Sequence, residues 1–443
     1  MKNSINNSIK NIDKKVSAAI VFLIIALLAA AFVNPHTTGT STIKAYPATV
    51  CPANLGGGAS TSVLPSSKVL VRQIPTKKNR LSKAKTTYYL SNKPLLVDGN
   101  SETSINVTRG KSRSLATAIC SISSGDQWFV GGSGSVTSRA SLEIVNSGLS
   151  TSVVDLFVYS SNSVSPVISK RISKNSSKRI YLDTLAPGEN SVVVHAITRS
   201  GRVTTYMHDE RVRGLVQLGA DFVAQGADPS NRIIIPTISN VALKARKPNQ
   251  TLRILVPGKV AANIRAKLIS SDGSFAPIGL EDINADAGKV TDISFKPVIK
   301  SRNFALLLTS DQPIVAGVKS SGVFNGVEEF AWSSAVPELK DLTIHMGGLR
   351  PDVLFQGSNF EVDIRWTDKN NKIQSKTIRG NSYASWRPKS GIKSVEFRTS
   401  NNQVYAGAIF AEKTGVSFLP LVAGAQIEST AIPNVDASVI TRE

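Results

Sequence analysis

Two cysteines, four histidines and one lysine-rich run are the residues whose types point most directly to chemistry in this chain. Nucleophilic catalysis needs a base beside Ser or Cys, but no G-x-S-x-G elbow and no H-E-x-x-H motif occurs. The glycine-rich Gly131 to Gly134 follows a strand-like WFV but lacks the lysine and following helix of a phosphate loop, so it reads as a turn. His36 lies in a polar lead-in. His195 sits in SVVVHAI, where alternation sets it opposite Val194 and Ala196, on a strand surface. His208, Asp209 and Glu210 are consecutive, and neighbours on a strand point to opposite faces, so the trio reads as a solvated strand end and not as a metal site. Paired acids for glycoside chemistry would have to converge from separate strands. Glu281, Asp282, Glu328 and Glu329 are conceivable members, although adjacent acids usually sit on exposed loops. Trp366 and Trp386 would make a sugar-stacking platform if exposed; core packing is the commoner fate of such residues.

Charge narrows the partner class. The chain carries 52 basic and 31 acidic residues, a formal net charge of +21. Such a field attracts polyanions. The densest patch runs from Lys68 to Lys85, with Arg72, Lys77, Lys78, Arg80 and Lys83 between them and no acid. These seven residues are the candidate polyanion-binding group, with Arg109, Lys111 and Arg113 as a smaller cluster.

The elements that position these residues begin with an apolar run, Val16 to Val33, that contains no charge. As a helix it would span roughly 27 Å, close to the hydrocarbon core of a bilayer. Lys2, Lys10, Lys14 and Lys15 precede it against a single Asp13, which places the N-terminus in the cytoplasm and exports the body. Ala29, Ala30 and Ala31 would supply a cleavage site, but the length favours a retained signal anchor. Phosphate-bearing wall polymer, anionic lipid or an envelope protein are therefore the expected partners, and nucleic acid is not. In an exported chain Cys51 and Cys120 read as one disulfide.

Beyond residue 68 short apolar runs alternate with Gly, Asn, Asp, Ser and Pro, no stretch holds a helical period, and the body reads as all-β. Three segments share a pattern: an apolar strand, a turn, an alternating strand, a dense apolar strand and a hairpin signal. They start near Leu142, Leu252 and Val353, with hairpin signals at Ser200-Gly201, Asp311-Gln312 and Asn401-Asn402. Repeats of about 100 residues fit tandem immunoglobulin-like β-sandwich units. The expected division is a cytoplasmic tail over 1–15, the anchor over 16–33, a Ser/Thr/Gly/Pro-rich stalk over 34–67, and three β domains over 68–215, 216–325 and 326–443. The segments linking them are expected to pack across the joints and stiffen the array into a rod.

The order of features also resembles a known family. A single membrane segment precedes Cys51-Pro52. Cys120 follows, then Trp128, Phe129, Gly131 and Gly132, then Leu142, Asn146 and Gly148, then the L-A-P-G of Leu185 to Gly188. This looks like an uncharacterised family of exported, membrane-anchored cell-envelope proteins from actinobacteria, a domain of unknown function. The resemblance covers most of the chain after residue 50 and implies an envelope setting and a paired Cys51 and Cys120. The family has no assigned activity, so no catalytic residue is carried over. The reading that results is a non-enzymatic scaffold or adaptor outside the membrane, without a cofactor or metal. The second reading is a carbohydrate-binding or carbohydrate-active wall protein with Trp366 and Trp386 in a groove.

Overall fold

Strands built from Val, Ile, Thr and Phe, broken at turn residues, dominate the molecule as the composition predicts. The computed structural model describes residues 16–26 and 48–422, apart from 54–57, 64–67, 77–79, 85–87, 90–91, 100–101, 110–113, 163, 242–246, 325–326, 400–402 and 413–414. Residues 16–26 are helical. The expected tail over 1–15 and the remainder of the expected anchor over 27–33 lie outside the described residues. Among the described residues no helix is long and apolar enough to cross a membrane.

Residues Tyr46–Gln426 form a unit of their own. Within it the strands fall into four consecutive groups; the first, second and fourth are sandwiches of two four-stranded sheets, and the third is one eight-stranded sheet continuous through a shared long strand. The second group is the clearest. Its first sheet orders Ile168–Ile172, Ser152–Ser160, Val192–Ser200 and Asp126–Val130; its second orders Ser176–Tyr181, Ser141–Asn146, Thr204–Arg213 and Val216–Val223. Counted along the chain, the sheets read fourth-third-sixth-first and fifth-second-seventh-eighth. The first group, Thr49–Cys51 through Leu115–Ile119, repeats this order, and so does the fourth, Leu342–His345 through Gly415–Pro420. The third group, Ser230–Ser239 through Val327–Ser334, has the same order with two modifications, the first being that its fourth strand is split into Gly273–Phe275 and Ile283–Ala285, both paired with Ala262–Ser270. Second, its sixth and seventh strands are a single strand, Asn303–Phe324, whose first half pairs with Ser230–Ser239 and Ala262–Ser270 and whose second half pairs with Asn249–Leu255 and Val327–Ser334. The core of each sandwich lies between its sheets: Leu142 and Ile144 of one meet Val154, Leu156 and Val194 of the other in the second unit.

Four units therefore stand where the sequence suggests three. The stalk expected over 34–67 contributes two strands: Thr49–Cys51 pairs with Leu95–Val97, and Gly58–Ser62 pairs with Ile105–Arg109. The domain expected over 68–215 merges most of the first unit with most of the second. The boundary at 216 cuts off Val216–Val223, which pairs with Thr204–Arg213 of the same sheet. The boundary at 326 cuts between two paired strands, because Phe324 pairs with Val327. The hairpin expected at Asp311-Gln312 is uninterrupted strand, with the Asp311 carboxylate accepting from the Asn263 backbone and side-chain N–H groups at 2.9 and 3.0 Å.

The last strands of the four units meet one another. Leu115–Ile119, Val216–Val223, Val327–Ser334 and Gly415–Pro420 are each the edge of their own sheet. They pack in a cycle, first on second, second on third, third on fourth and fourth on first. Edge strands expose unpaired backbone and invite aggregation; here each edge is covered by two others. The sequences show it: LATAI and GVSFLP are buried at every position, as strands covered on both faces must be. Ala116 and Ala118 pack on Tyr206 and Phe222 of the second unit, while Leu115 and Ile119 join the core of the fourth. The expected rod is thus a closed ring, tied also by the Arg109–Glu412 ion pair at 3.0 Å between first and fourth units.

Cys51 and Cys120 are bonded, stapling the first strand of the first unit to the end of its last across a sequence separation of 69. In the chain-entropy account this loop contributes about 4 kcal/mol. Replacing both by Ser is expected to lower the unfolding free energy by about that much in urea titration; a loss below about 1 kcal/mol would contradict a stabilising role for the bridge.

Candidate functional site

The densest set of buried ionisable side chains lies where the four last strands meet. Asp221, on Val216–Val223, is fully buried. Its Oδ1 accepts from the Ser417 hydroxyl at 2.7 Å, and its Oδ2 accepts from the Trp332 backbone N–H at 3.0 Å. The Thr117 backbone N–H donates to Ser417 Oγ at 2.9 Å, and the Thr117 hydroxyl reaches the Phe418 carbonyl at 3.2 Å. One chain of hydrogen bonds therefore takes one residue from the last strand of every unit.

A second carboxylate, Asp209, sits beside it. It too is fully buried, on the strand neighbouring Val216–Val223. Its Oδ2 accepts from the Trp332 indole N–H at 2.9 Å and from Arg211 at 3.2 Å. Burial alone would raise this carboxyl, but the charges of Arg211 and Lys319 and the indole donor together hold it below the usual range. Asp221 goes the other way: burial, with the Asp209 charge adding, pushes it well above the ordinary carboxylate value despite its donors. Glu329 is likewise buried and raised, first by burial and then by Asp221. Burial thus favours the protonated forms of Asp221 and Glu329, whereas the surrounding cations and the indole favour the ionised form of Asp209.

The cations are placed to match. Lys319 has its ammonium 4.4 Å from the Phe330 ring centroid and 5.9 Å from that of Trp332, and burial lowers it to about 8. Arg253, buried, lies 5.0 Å from the Trp332 ring and binds Asp292 through two contacts of 2.8 Å. It also donates to the carbonyls of Gly132 and Val192 at 2.7 and 3.0 Å, joining third unit to second. Space at the centre is as tight as the bonding. A Cβ on Gly219 would lie 2.8 Å from Glu329 Oε1, and one on Gly415 would lie 2.6 Å from the Leu115 nitrogen.

Beside this network a cleft of 330 Å³ opens between the units, lined by Ile119, Thr205, Tyr206 and Phe222 and by the linkers that carry Ser123 and Gly226. The Tyr206 hydroxyl donates to the Val50 carbonyl and accepts from the Ser121 N–H at 3.0 Å, and burial raises its pKa. The cleft thus presents apolar side chains together with polar ones such as Ser123, Thr205, Gln225 and Asp228. What the arrangement does chemically is bind the four units to each other.

The residues singled out in the sequence are distributed differently. His208 is not a solvated strand end: it is buried edge-on against Phe222, and burial lowers it to about 4. Of the acid pair, Glu328 is exposed and bonds Arg213 at 2.5 Å, whereas Glu329 is at the centre. Glu281 and Asp282 are exposed on a loop of the third unit. His195 stacks on Trp128 at 3.7 Å between ring centroids, with its Nε2 2.7 Å from Asp126. Trp386 is buried in the fourth core against Phe397, and half-buried Trp366 meets it edge-on at 5.1 Å. The pair offers no shared open face for a sugar ring.

Of the basic patch, Lys77, Lys78 and Lys85 lie outside the described residues. Lys68, Arg80 and Lys83 are exposed, and Arg72 is half-buried against the second unit, where it donates to Asn175 Oδ1 and, at 3.3 Å, to the Ser147 carbonyl. The glycine motifs are architectural. Gly134 N–H donates to the Glu189 carbonyl at 2.8 Å, Gly188 N–H donates to that of Gly134 at 3.0 Å, and Asn146 caps the Gly148 N–H at 2.9 Å. Sequence reasoning missed Asp209, Asp221, Lys319 and Arg253 as a group. Isolated charges inside otherwise apolar strands were the available signal.

Two substitutions separate the roles. Asp209→Ala strands Arg211 and the Trp332 indole without an acceptor and is expected to cost roughly 3–5 kcal/mol; urea titration showing under about 1 kcal/mol would refute the tie. For Glu329 the raised carboxyl contributes stability that is full below its ordinary pKa and is lost as pH rises through the raised value. Glu329→Gln removes that dependence, so the variant gains on the parent as pH rises from the ordinary carboxylate range toward the raised value. A variant that loses ground over that interval would reverse the assignment.

Comparison with known proteins adds a family and little else. No curated protein matches the chain. Among solved structures, "Crystal Structure of Thermotoga maritima 1070" is similar at 13% identity and a TM-score of 0.21, over 25% of this chain and 95% of that one. A trypsin-activated alpha-2-macroglobulin from Escherichia coli is similar at 6% identity and a TM-score of 0.12, over 88% of this chain and 42% of that one. At such scores neither likeness carries an argument about fold or function. Residues 91–377, from just ahead of the strand Leu95–Asp98 into the strand Ile373–Gly380, match a family model, and the chain belongs to that family, DUF5719, a family of unknown function.

Proposed function

We propose that this chain is a non-enzymatic scaffold of the cell envelope, held outside the membrane by its N-terminal apolar run and engaging an anionic partner such as a wall polymer. The observation that carries the reading is the central network. Its acids and cations are spent on tying Thr117, Asp221, Trp332 and Ser417 of four units into one body. A body of that kind is a rigid platform whose outer surface, at a net charge of +21, is the part left to meet a partner. The disulfide supports an oxidising compartment. The carbohydrate reading draws no support from Trp386, whose indole is enclosed by its own core.

The test is retention of purified envelope polymer by the full chain. The polymer is expected to be retained without change in length, with retention falling as salt rises from about 50 to about 500 mM. Shortened polymer would make the chain an enzyme, and retention indifferent to salt would remove charge as its basis.

A further inference from the structure

The shared strand order gives each unit two unlike edges. The last strand sits at the centre of the ring, and the fourth and fifth strands lie together at the opposite edge, one at the end of each sheet. In the second unit these outer strands are Ile168–Ile172 and Ser176–Tyr181. Together with the turn between them they read ISKRISKNSSKRIY, with Lys170, Arg171, Lys174, Lys178 and Arg179 and no acid. Arg171, Lys174, Lys178 and Arg179 are exposed and Lys170 is half-buried. The acids on the adjoining strands do not neutralise this edge from outside. Glu143 and Asp155 are both buried, the first 3.6 Å from Arg179 and the second bonded to Arg199.

The first unit extends the same edge. Arg72 donates to Asn175 in the turn beside Lys174, and Asn175 donates to the Thr76 carbonyl at 3.3 Å. Lys83, exposed, pairs with Leu70 two positions from Arg72. Two basic segments some hundred residues apart in sequence thus meet end to end.

We infer that the outer edge of the second unit, Lys170, Arg171, Lys174 and Lys178, continued by Arg72 and Lys83 of the first, is a binding strip for a linear phosphate polyanion. The shape selects the ligand. Two stacked edge strands make a strip about 10 Å across and roughly 17 Å long. A strip so narrow can follow a polymer backbone along its length, whereas a bilayer offers a plane that only part of a sandwich edge touches. This deepens the scaffold reading and rests on it. A competing explanation is that lysines merely guard an exposed sheet edge against aggregation.

The experiment uses the full chain in nanodiscs of zwitterionic lipid, with long-chain inorganic polyphosphate as the probe. Three proteins are compared: the parent, the edge variant K170Q/R171Q/K174Q/K178Q, and a control, K259Q/R265Q/K267Q/K296Q, which removes the same charges from exposed positions on the third unit. The expected result at about 0.15 M salt is that the edge variant binds at least about tenfold more weakly and the control less than about threefold. Equal losses would reduce the effect to net charge and overturn the strip. An edge variant that binds like the parent but aggregates would assign the lysines to edge protection and overturn it too. Edge-dependent binding to phosphatidylglycerol vesicles without polyphosphate binding would replace the polymer by a membrane. A parent that binds no polyphosphate at all would count against the polyanion scaffold itself, and not against the strip alone.

Discussion

Everything in this fold depends on one buried carboxyl, Asp221, and the two donors that reach it. A buried polar group is costly unless it is satisfied, and Asp221 is satisfied only if the second, third and fourth units stand where they do. Ser417 supplies one donor and the Trp332 backbone the other, while Thr117 from the first unit holds Ser417 in place. Apolar contacts such as Phe418 on Ala331 or Ala116 on Phe222 provide most of the burial, but they are compatible with small slips. The hydrogen bonds are not, and so they fix the register between units.

The electrostatics follow from the same demand. Three acids within one buried region cannot all ionise at acceptable cost. The one that keeps its charge, Asp209, is the one with Arg211, Lys319 and the Trp332 indole around it. Asp221 and Glu329, with mainly backbone and hydroxyl donors, are the ones whose carboxyls burial pushes toward the protonated form. Trp332 connects the two groups, since its backbone N–H serves Asp221 and its indole N–H serves Asp209. That double use explains why a third-unit residue lies inside the core of the second.

How much of this the sequence discloses varies with the range of the interaction. Strand class and the recurring strands at Leu142, Leu252 and Val353 were legible because alternation and turn residues are local, but these are the second strands of their units, whose first strands are Asp126–Val130, Ser230–Ser239 and Leu342–His345. The first unit escaped notice because its strands are short: Ser82–Lys83 and Tyr88–Tyr89 span two residues each, too few for a period to show. Its opening strands also sit in a Ser-, Gly- and Pro-rich stretch that reads as a stalk. The boundaries failed at 216 and 326 because a last strand buried on both faces looks like a linker followed by a new core. The buried acids were illegible for a deeper reason. In YMHDERV the alternation that should expose Asp209 or His208 is overridden by a neighbouring unit, and no pattern within one strand reports what covers it from another.

The ring also limits where function can reside. A linear array exposes both edges of its sheets along its length, but here four inner edges are consumed in one another. What is left differs between the units. The second keeps its fourth and fifth strands for the outside, with Lys170 to Arg179 and no acid, whereas the fifth strand of the third lies against the second unit, Asp292 accepting from Ser191 and Arg253. Inner edges so alike in role and outer edges so unlike in charge are what a common frame with specialised contacts requires. Difference among the units is therefore the place to look for activity, and sameness among them is the account of stability.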